Sequence, residues 1–346
     1  MKCLPLTIAL AIFVVSPPAS SAADHPGGKS VSLRAAVQKS GVASRYPGDL
    51  GIADDPSVIF ADGFENGLNA WTTFRNRDAI SILQDSGMSH AGSATVRITA
   101  TRGHDTGGAL GYRWPDGVDR LHVRFYCKFH PDTVKPHHFV NMGADSPLWN
   151  PGGHAGERRE GHLTYSTTIE PPRTDDKDPG WYFYTYWHQM RSWENPDGTT
   201  KHPPKGNGRS FYGNNFKPDS QGLPFERDRW ICVEFMMQAN TPRQSDGVQG
   251  FWIDGVPVGR YGPGKPLGSW IRDRFVTSGP FNTNPQPFEG MNWRSIPELK
   301  LNRVGLQWYI SDEVAEPGPS DHNTVYFDDV VFATEYIGPL HPVPDH

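Results

Sequence analysis

The feature that most restricts the fold of this chain is a period-two alternation of apolar and polar side chains, repeated in short runs. Over residues 121–130, Leu121, Val123, Phe125, Cys127 and Phe129 take one face, and His122, Arg124, Tyr126, Lys128 and His130 take the other. Successive side chains of an extended strand point to opposite sides, so the run predicts a strand with one face in a core. Residues 181–188 repeat the pattern, with Tyr182, Tyr184, Tyr186 and His188 on a common face. Residues 230–239 place Ile231, Val233, Phe235 and Met237 together, and 251–253, 304–310 and 324–334 read the same way. Asp254-Gly255 directly after one such run is a two-residue hairpin signal.

Between these runs the chain is punctuated by 37 Gly and 32 Pro, and helical periodicity is almost absent. Short strands joined by Gly/Pro loops predict an all-β fold of two packed antiparallel sheets with long loops. No low-complexity linker interrupts residues 57–346, which are expected to form one domain. Residues 191–229 lack a clear period; an aperiodic stretch of that length inside a domain predicts a functional loop over one end or face of the sandwich.

The first residues read as a secretory signal. Lys2 precedes an apolar run of about a dozen residues, too short for a membrane span, which needs roughly 20. Small residues around Ala22 and Ala23 offer a cleavage site. The expectation is a signal peptide over 1–23, an extended leader over 24–56, and a secreted or periplasmic protein with no membrane association after cleavage. Export permits a disulfide between Cys127 and Cys232; two buried thiols are the alternative. The net charge of −5 comes with no basic stripe, which argues against nucleic-acid binding, and a monomer is expected.

Four segments carry a family likeness. They are Val58-Ile59-Phe60-Ala61-Asp62-Gly63-Phe64-Glu65-Asn66-Gly67 with Trp71 following, Arg229-Trp230-Ile231-Cys232-Val233-Glu234-Phe235, Gly250-Phe251-Trp252-Ile253-Asp254-Gly255, and Val325-Tyr326-Phe327-Asp328-Asp329-Val330-Val331. Over roughly residues 57–335 the chain resembles the concanavalin-like jelly-roll sandwiches of carbohydrate-active proteins. It looks most similar to polysaccharide lyase families 14 and 20, the alginate and glucuronan lyases, and to the secreted fungal cellulose-induced proteins. These are scaffold motifs, and no lyase active-site signature transfers residue by residue. The resemblance implies a jelly roll, a polysaccharide partner, and one structural Ca²⁺ held by Asp62, Glu65 and Asp329, with Asp328 beside them. Carboxylates next to loop carbonyls suit calcium, which takes 6–8 oxygen ligands.

The polar strand faces suggest chemistry. If the strands at 121–130, 181–188 and 304–310 share a sheet, one concave face carries Arg124, Tyr126, Lys128, Tyr182, Tyr184, Tyr186, His188, Gln307 and Tyr309. β-Elimination from a uronic acid needs such a set. A cation or amide meets the carboxylate, a Tyr or His takes the C5 proton, and an acid protonates the departing oxygen at C4. Tyr184, Tyr186, His188 and Arg124 are the candidate catalytic residues. Tyr126, Lys128, His138, Tyr182, Gln189, Arg191, Gln307 and Tyr309 are the candidate substrate-binding residues. The partner expected from this face is an acidic polysaccharide.

Two alternatives stay open: a non-catalytic, calcium-stabilised carbohydrate-binding module and a glycoside hydrolase. A hydrolase needs two positioned carboxylates, and the sequence offers only Glu226, Glu234 and Glu289 as isolated candidates. No Gly-x-Ser-x-Gly elbow, phosphate loop or dinucleotide fingerprint is present.

Overall fold

A computed structural model describes residues 40–134, 136–172, 180–195, 210–218, 223, 226–311 and 320–344. The expected signal peptide lies outside them, and no helix among the described residues is long and apolar enough to cross a membrane.

The strands in chain order are β1 (Val58–Asp62), β2 (Thr73–Arg75), β3 (Ile80–Gln84), β4 (Ala94–Thr101), β5 (Gly107–Val118), β6 (Arg120–Phe129), β7 (Val140–Asp145), β8 (Thr164–Glu170) and β9 (Tyr182–Tyr186). There follow β10 (Asn214–Lys217), β11 (Trp230–Gln238), β12 (Val248–Ile253), β13 (Val256–Tyr261), β14 (Leu267–Ile271), β15 (Arg274–Val276), β16 (Gln286–Pro287), β17 (Leu301–Tyr309) and β18 (His322–Ala333). They form two sheets, so the all-β sandwich expectation is met. The first sheet runs β13-β12-β11-β6-β18-β4-β3, with β1 also on β18, and the second runs β16-β14-β15-β10-β9-β8-β7-β17-β5-β2. Neighbours are antiparallel except β10 with β15. At the β12–β13 hairpin Asp254 (φ 49°) and Gly255 (φ 76°) are both left-handed, the backbone that an Asp-Gly turn supplies.

The core lies between the sheets. Cys127 lies buried there, and Phe125 and Phe129 of β6 meet Phe139, Trp308 and Phe327 in ring contacts at 5.6 to 5.8 Å. The outer face of β6 is covered as well. Residues 40–56 make three 3-10 turns on the outside of the first sheet and bond to the C-terminal segment, Val42 N–H donating to Tyr336 O at 3.0 Å and Ala43 N–H to Ile337 O at 2.9 Å. Val42, Ala43, Ile52, Val331, Ala333 and Ile337 form a second apolar cluster beneath them. The packed structure therefore starts upstream of Ser57, within the stretch read as an extended leader. The aperiodic region 191–229 also contains a strand, β10, which is too short at four residues to show a period.

Cys127 and Cys232 are free thiols. In the β6–β11 ladder Cys127 lies opposite Ile231, while Cys232 lies opposite Tyr126. A one-residue offset in register sends the two sulfurs to opposite faces of the sheet, so no bridge can close. Burial pushes both thiols up, Cys232 to about 12 and Cys127 well above the ordinary range. Expected outcome: reductant leaves the melting temperature unchanged, and a thiol reagent modifies neither cysteine until the protein unfolds. Modification of the folded protein at neutral pH would contradict this arrangement.

Candidate active site

The candidate site is the outer face of the second sheet, and the strand registers arrange its side chains in three rows across the strands. In the middle row Asn215 pairs with Tyr184, Tyr184 with Thr168, Thr168 with Asn141, Asn141 with Gly305, Gly305 with Gly111, and Gly111 with Thr73. To one side lie Tyr182 opposite Glu170, and Gln307 opposite Ala109, itself opposite Arg75. To the other lie Tyr186, Ser166, Gly143, Arg303 and Arg113 in succession. From β8 to β2 the middle row holds only Thr168, Asn141, Gly305, Gly111 and Thr73, between Glu170, Gln307 and Arg75 on one side and Arg303 and Arg113 on the other, which makes a groove across the strands with Tyr184 at its β9 end.

His138 enters this face just before β7, fixed by reciprocal backbone hydrogen bonds with Tyr309, 3.1 Å in each direction. Its Nδ1 lies 2.9 Å from Oε1 of Glu170, whose carboxylate is buried at 2 % exposure. A carboxylate at Nδ1 places the ring hydrogen there and leaves Nε2 as the acceptor. The imidazole faces the ring of Tyr184 at 5.0 Å and that of Tyr309 at 6.0 Å. The hydroxyls of Tyr184 and Tyr186 are 3.2 Å apart. Asn141 Nδ2 approaches Gln307 Oε1 at 3.4 Å, and Arg303 Nη1 donates to Asn141 Oδ1 at 2.8 Å.

One cation reaches the tyrosine pair from a loop. Arg159 lies over the Tyr186 ring at 4.2 Å and over Trp149 at 5.4 Å, and Nη1 donates to the carbonyls of His154 at 2.8 Å and Glu157 at 3.1 Å. Burial raises both phenols above their ordinary value, Tyr184 strongly, and the Tyr184 hydrogen bond and Arg159 together offset only part of the rise at Tyr186. Both hydroxyls therefore stay protonated at neutral pH, which makes them proton donors rather than bases. Asp145 closes the groove on the Arg303 side. Burial alone would raise its pKa, but Arg303, Thr164 and Arg113 together hold it below the usual carboxylate range.

The structure brings His138, Tyr182, Tyr184, Tyr186, Gln307 and Tyr309 onto this one face. It separates others from it. Strand β6 belongs to the first sheet, so the expected three-strand face does not exist. Arg124 is fully buried under the 40–56 segment, where it pairs with Asp49 and donates to the Asp329 carbonyl at 3.0 Å. Tyr126 accepts a hydrogen bond from Leu340 N–H at 2.9 Å, and Lys128 pairs with Asp228 at 3.0 Å, both on that sheet. His188 lies past the end of β9, with Nδ1 3.3 Å from the Trp293 carbonyl, and burial lowers its pKa. Gln189 is exposed. Arg191 stacks on Trp270 at 4.3 Å and pairs with Glu289 at the sheet edge, with Trp270 packed on the core ring of Phe216.

The hydrolase carboxylates fall away for a similar reason. Glu234 is buried on the first sheet, 2.8 Å from His122 Nδ1, and accepts from Ile337 N–H at 2.9 Å and Gly338 N–H at 2.8 Å. Glu226 pairs with Arg229.

The four carboxylates assigned to calcium each have hydrogen-bond partners within the protein. Asp62 accepts from Phe64 N–H at 2.9 Å and Trp71 Nε1–H at 2.8 Å. Glu65 accepts from Ser93 N–H at 2.7 Å, Ser93 Oγ–H at 2.6 Å and Ala94 N–H at 2.9 Å. Alternation would point Asp328 and Asp329 to opposite faces. A bulge in β18 between Asp328 and Val331, with Asp329 at φ 44°, instead lets both reach His90, at 2.8 Å to its N–H and 2.6 Å to its Nδ1. Among the described residues no three His, Cys, Asp or Glu side chains converge as a metal site.

Glu170, Arg159, Asn141 and Arg303 were not among the residues expected from sequence. Ser166, Thr168 and Glu170 alternate with Tyr165, Thr167 and Ile169, a weak period-two signal. Arg159 sits in an aperiodic loop and has no such signal.

No protein-family model matches the chain, and no curated protein sequence matches it. Among solved structures it is similar to an alginate lyase from a Chlorella virus, with a TM-score of 0.48 and 14% identity over 80% of this chain and 99% of that one. A family 14 alginate lyase from Aplysia kurodai gives 0.47 and 12% over 80% and 96%. An endo-β-1,4-glucuronan lyase from the fungus Trichoderma reesei gives 0.46 and 13% over 80% and 95%.

Proposed function

We propose that this chain is an exported polysaccharide lyase that cleaves a uronate-containing polymer by β-elimination. The observation that carries the reading is the Glu170–His138 pair, seated beside a protonated Tyr184–Tyr186 hydroxyl pair under the Arg159 guanidinium. Base and acid thus stand next to each other, with amides and a cation within the same groove. His138 Nε2 takes the proton from C5. The C5–H electrons form the C4=C5 double bond, the C4–O4 bond breaks, and a tyrosine hydroxyl gives its proton to O4. Gln307, Asn141 and Arg159 meet the uronate carboxylate, whose neutralisation makes the C5 proton removable. The N-terminal apolar run with its small-residue cleavage site supports export.

Incubation with alginate, glucuronan and pectin tests this through the ultraviolet absorbance of the unsaturated product. Absorbance with one of them is expected; none with any uronate polymer would sink the reading, and reducing ends without absorbance would replace it by hydrolysis. Tyr184→Phe and Tyr186→Phe remove the donors one at a time. The variant lacking the proximal donor is expected to lose about 10²-fold in kcat, with the other affected less. Because both phenols are raised, wild-type activity on the alkaline side is expected to persist past the ordinary phenol value of about 10. A fall centred well below that value would assign the donor to another group.

A further inference from the structure

The groove continues beyond the His138 centre toward β5 and β2, and its far end is built differently. Gly305 and Gly111 face each other on adjacent strands, both on the outer side, so the sheet has no side chains at this point. A depression of about 230 Å³ results, lined by Asn141, Thr73, Arg75, Arg113 and Arg303. A Cβ at Gly305 would sit 3.1 Å from Asn141 Nδ2, and one at Gly111 2.5 Å from Thr73 Oγ1, filling the space. The rim is cationic. Arg303 and Arg113 share the single carboxylate of Asp145, at 2.9 and 2.7 Å. Arg75 lies over the Tyr309 ring at 5.1 Å and pairs with no carboxylate among the described residues. Three guanidinium groups against one carboxylate leave a positive charge excess over an open floor.

We infer that this depression is a second sugar-binding subsite that recognises the carboxylate of a uronate residue of the same polymer, with Arg75 as its principal contact. The inference rests on the lyase reading for the identity of the polymer. The chemistry of the pocket stands by itself. A guanidinium already stacked on an aromatic ring is preorganised, and its planar donors match a carboxylate in two-pronged fashion. The depression begins beside Asn141 of β7; its floor at Gly305 and Gly111 lies one and two strand steps from β7, roughly 5 and 10 Å at the usual strand spacing, and Arg75 springs from β2, one step further. A short oligomer at the catalytic centre stops at its near, Asn141 end, and a longer one reaches the Arg75 end.

Isothermal titration of a uronate hexasaccharide, run alongside product absorbance, tests the subsite. Arg75→Ala removes the cation, and Thr73→Glu puts a negative charge into the depression from an exposed edge strand, where folding is undisturbed. Each is expected to weaken hexasaccharide binding about tenfold, the loss of one charged contact, while turnover of a short oligomer stays at the wild-type rate. Hexasaccharide binding unchanged in both variants would overturn the subsite and leave the lyase reading intact. Weakened binding with no product from any uronate polymer would support the subsite and end the lyase reading. Equal wild-type affinity for a neutral hexasaccharide would overturn the uronate assignment.

Discussion

Replacing His138 with alanine is expected to lower kcat on the uronate polymer by about 10²- to 10⁴-fold, the range that a positioned general base contributes. Polymer binding should hold, because the groove flanks supplied by Gln307, Asn141 and the arginines remain. Glu170→Gln should cost less in kcat. It keeps the bulk of the side chain but removes the charge that stabilises the imidazolium once it has taken the proton. The pair is read out together. If His138→Ala leaves kcat within a few-fold of wild type, the base lies elsewhere, and Tyr184 and Tyr186 must then be re-examined in that role against their raised phenol values. If Glu170→Gln alone abolishes turnover and His138→Ala does not, the carboxylate acts directly.

The second large effect is one of stability and concerns a residue expected from sequence to be catalytic. Arg124 is 0 % exposed and bonds to Asp49 and to the Asp329 carbonyl, which ties the 40–56 segment and the β18 bulge to β6. Burial works against its charge, and Asp49 more than restores it. Breaking one partner of a buried pair typically costs about 3–5 kcal/mol, since the other charge is left uncompensated. Arg124→Met is therefore expected to shift denaturant unfolding by that amount. Turnover per folded molecule should stay at the wild-type value, because the site is on the other sheet. The double variant Arg124→Met/Asp49→Leu should regain much of the loss. A kcat loss without a stability loss would put Arg124 back among the catalytic residues.

These two residues show how far the sequence could be read. Arg124 and Tyr184 were both correctly placed on polar strand faces, and the strands holding them begin and end within about two residues of their expected positions, the usual uncertainty of element ends. The two faces belong to different sheets. Alternation is a property of a single strand, set by the opposed direction of successive Cβ atoms. It carries no information about which strand lies alongside. β6 pairs with β11 and β18, and β9 with β8 and β10, through ladders that join residues far apart in the chain.

The same limit applies to the outer faces. A polar strand face looks the same in sequence whether water, substrate or another segment covers it. On the first sheet the 40–56 and C-terminal segments cover it, and the polar residues there became buried pairs. On the second sheet the outer face of the central strands carries the groove. The sequence alone decided that the chain would be a two-sheet β-sandwich, where most long strands run, and which side chains share a face within an unbroken strand, because those follow from period and turn chemistry. Only the tertiary structure decided that Glu170 meets His138, that Arg159 reaches Tyr186 and that Arg124 is a structural cation, because each depends on strand order and on where a loop without any period comes to rest.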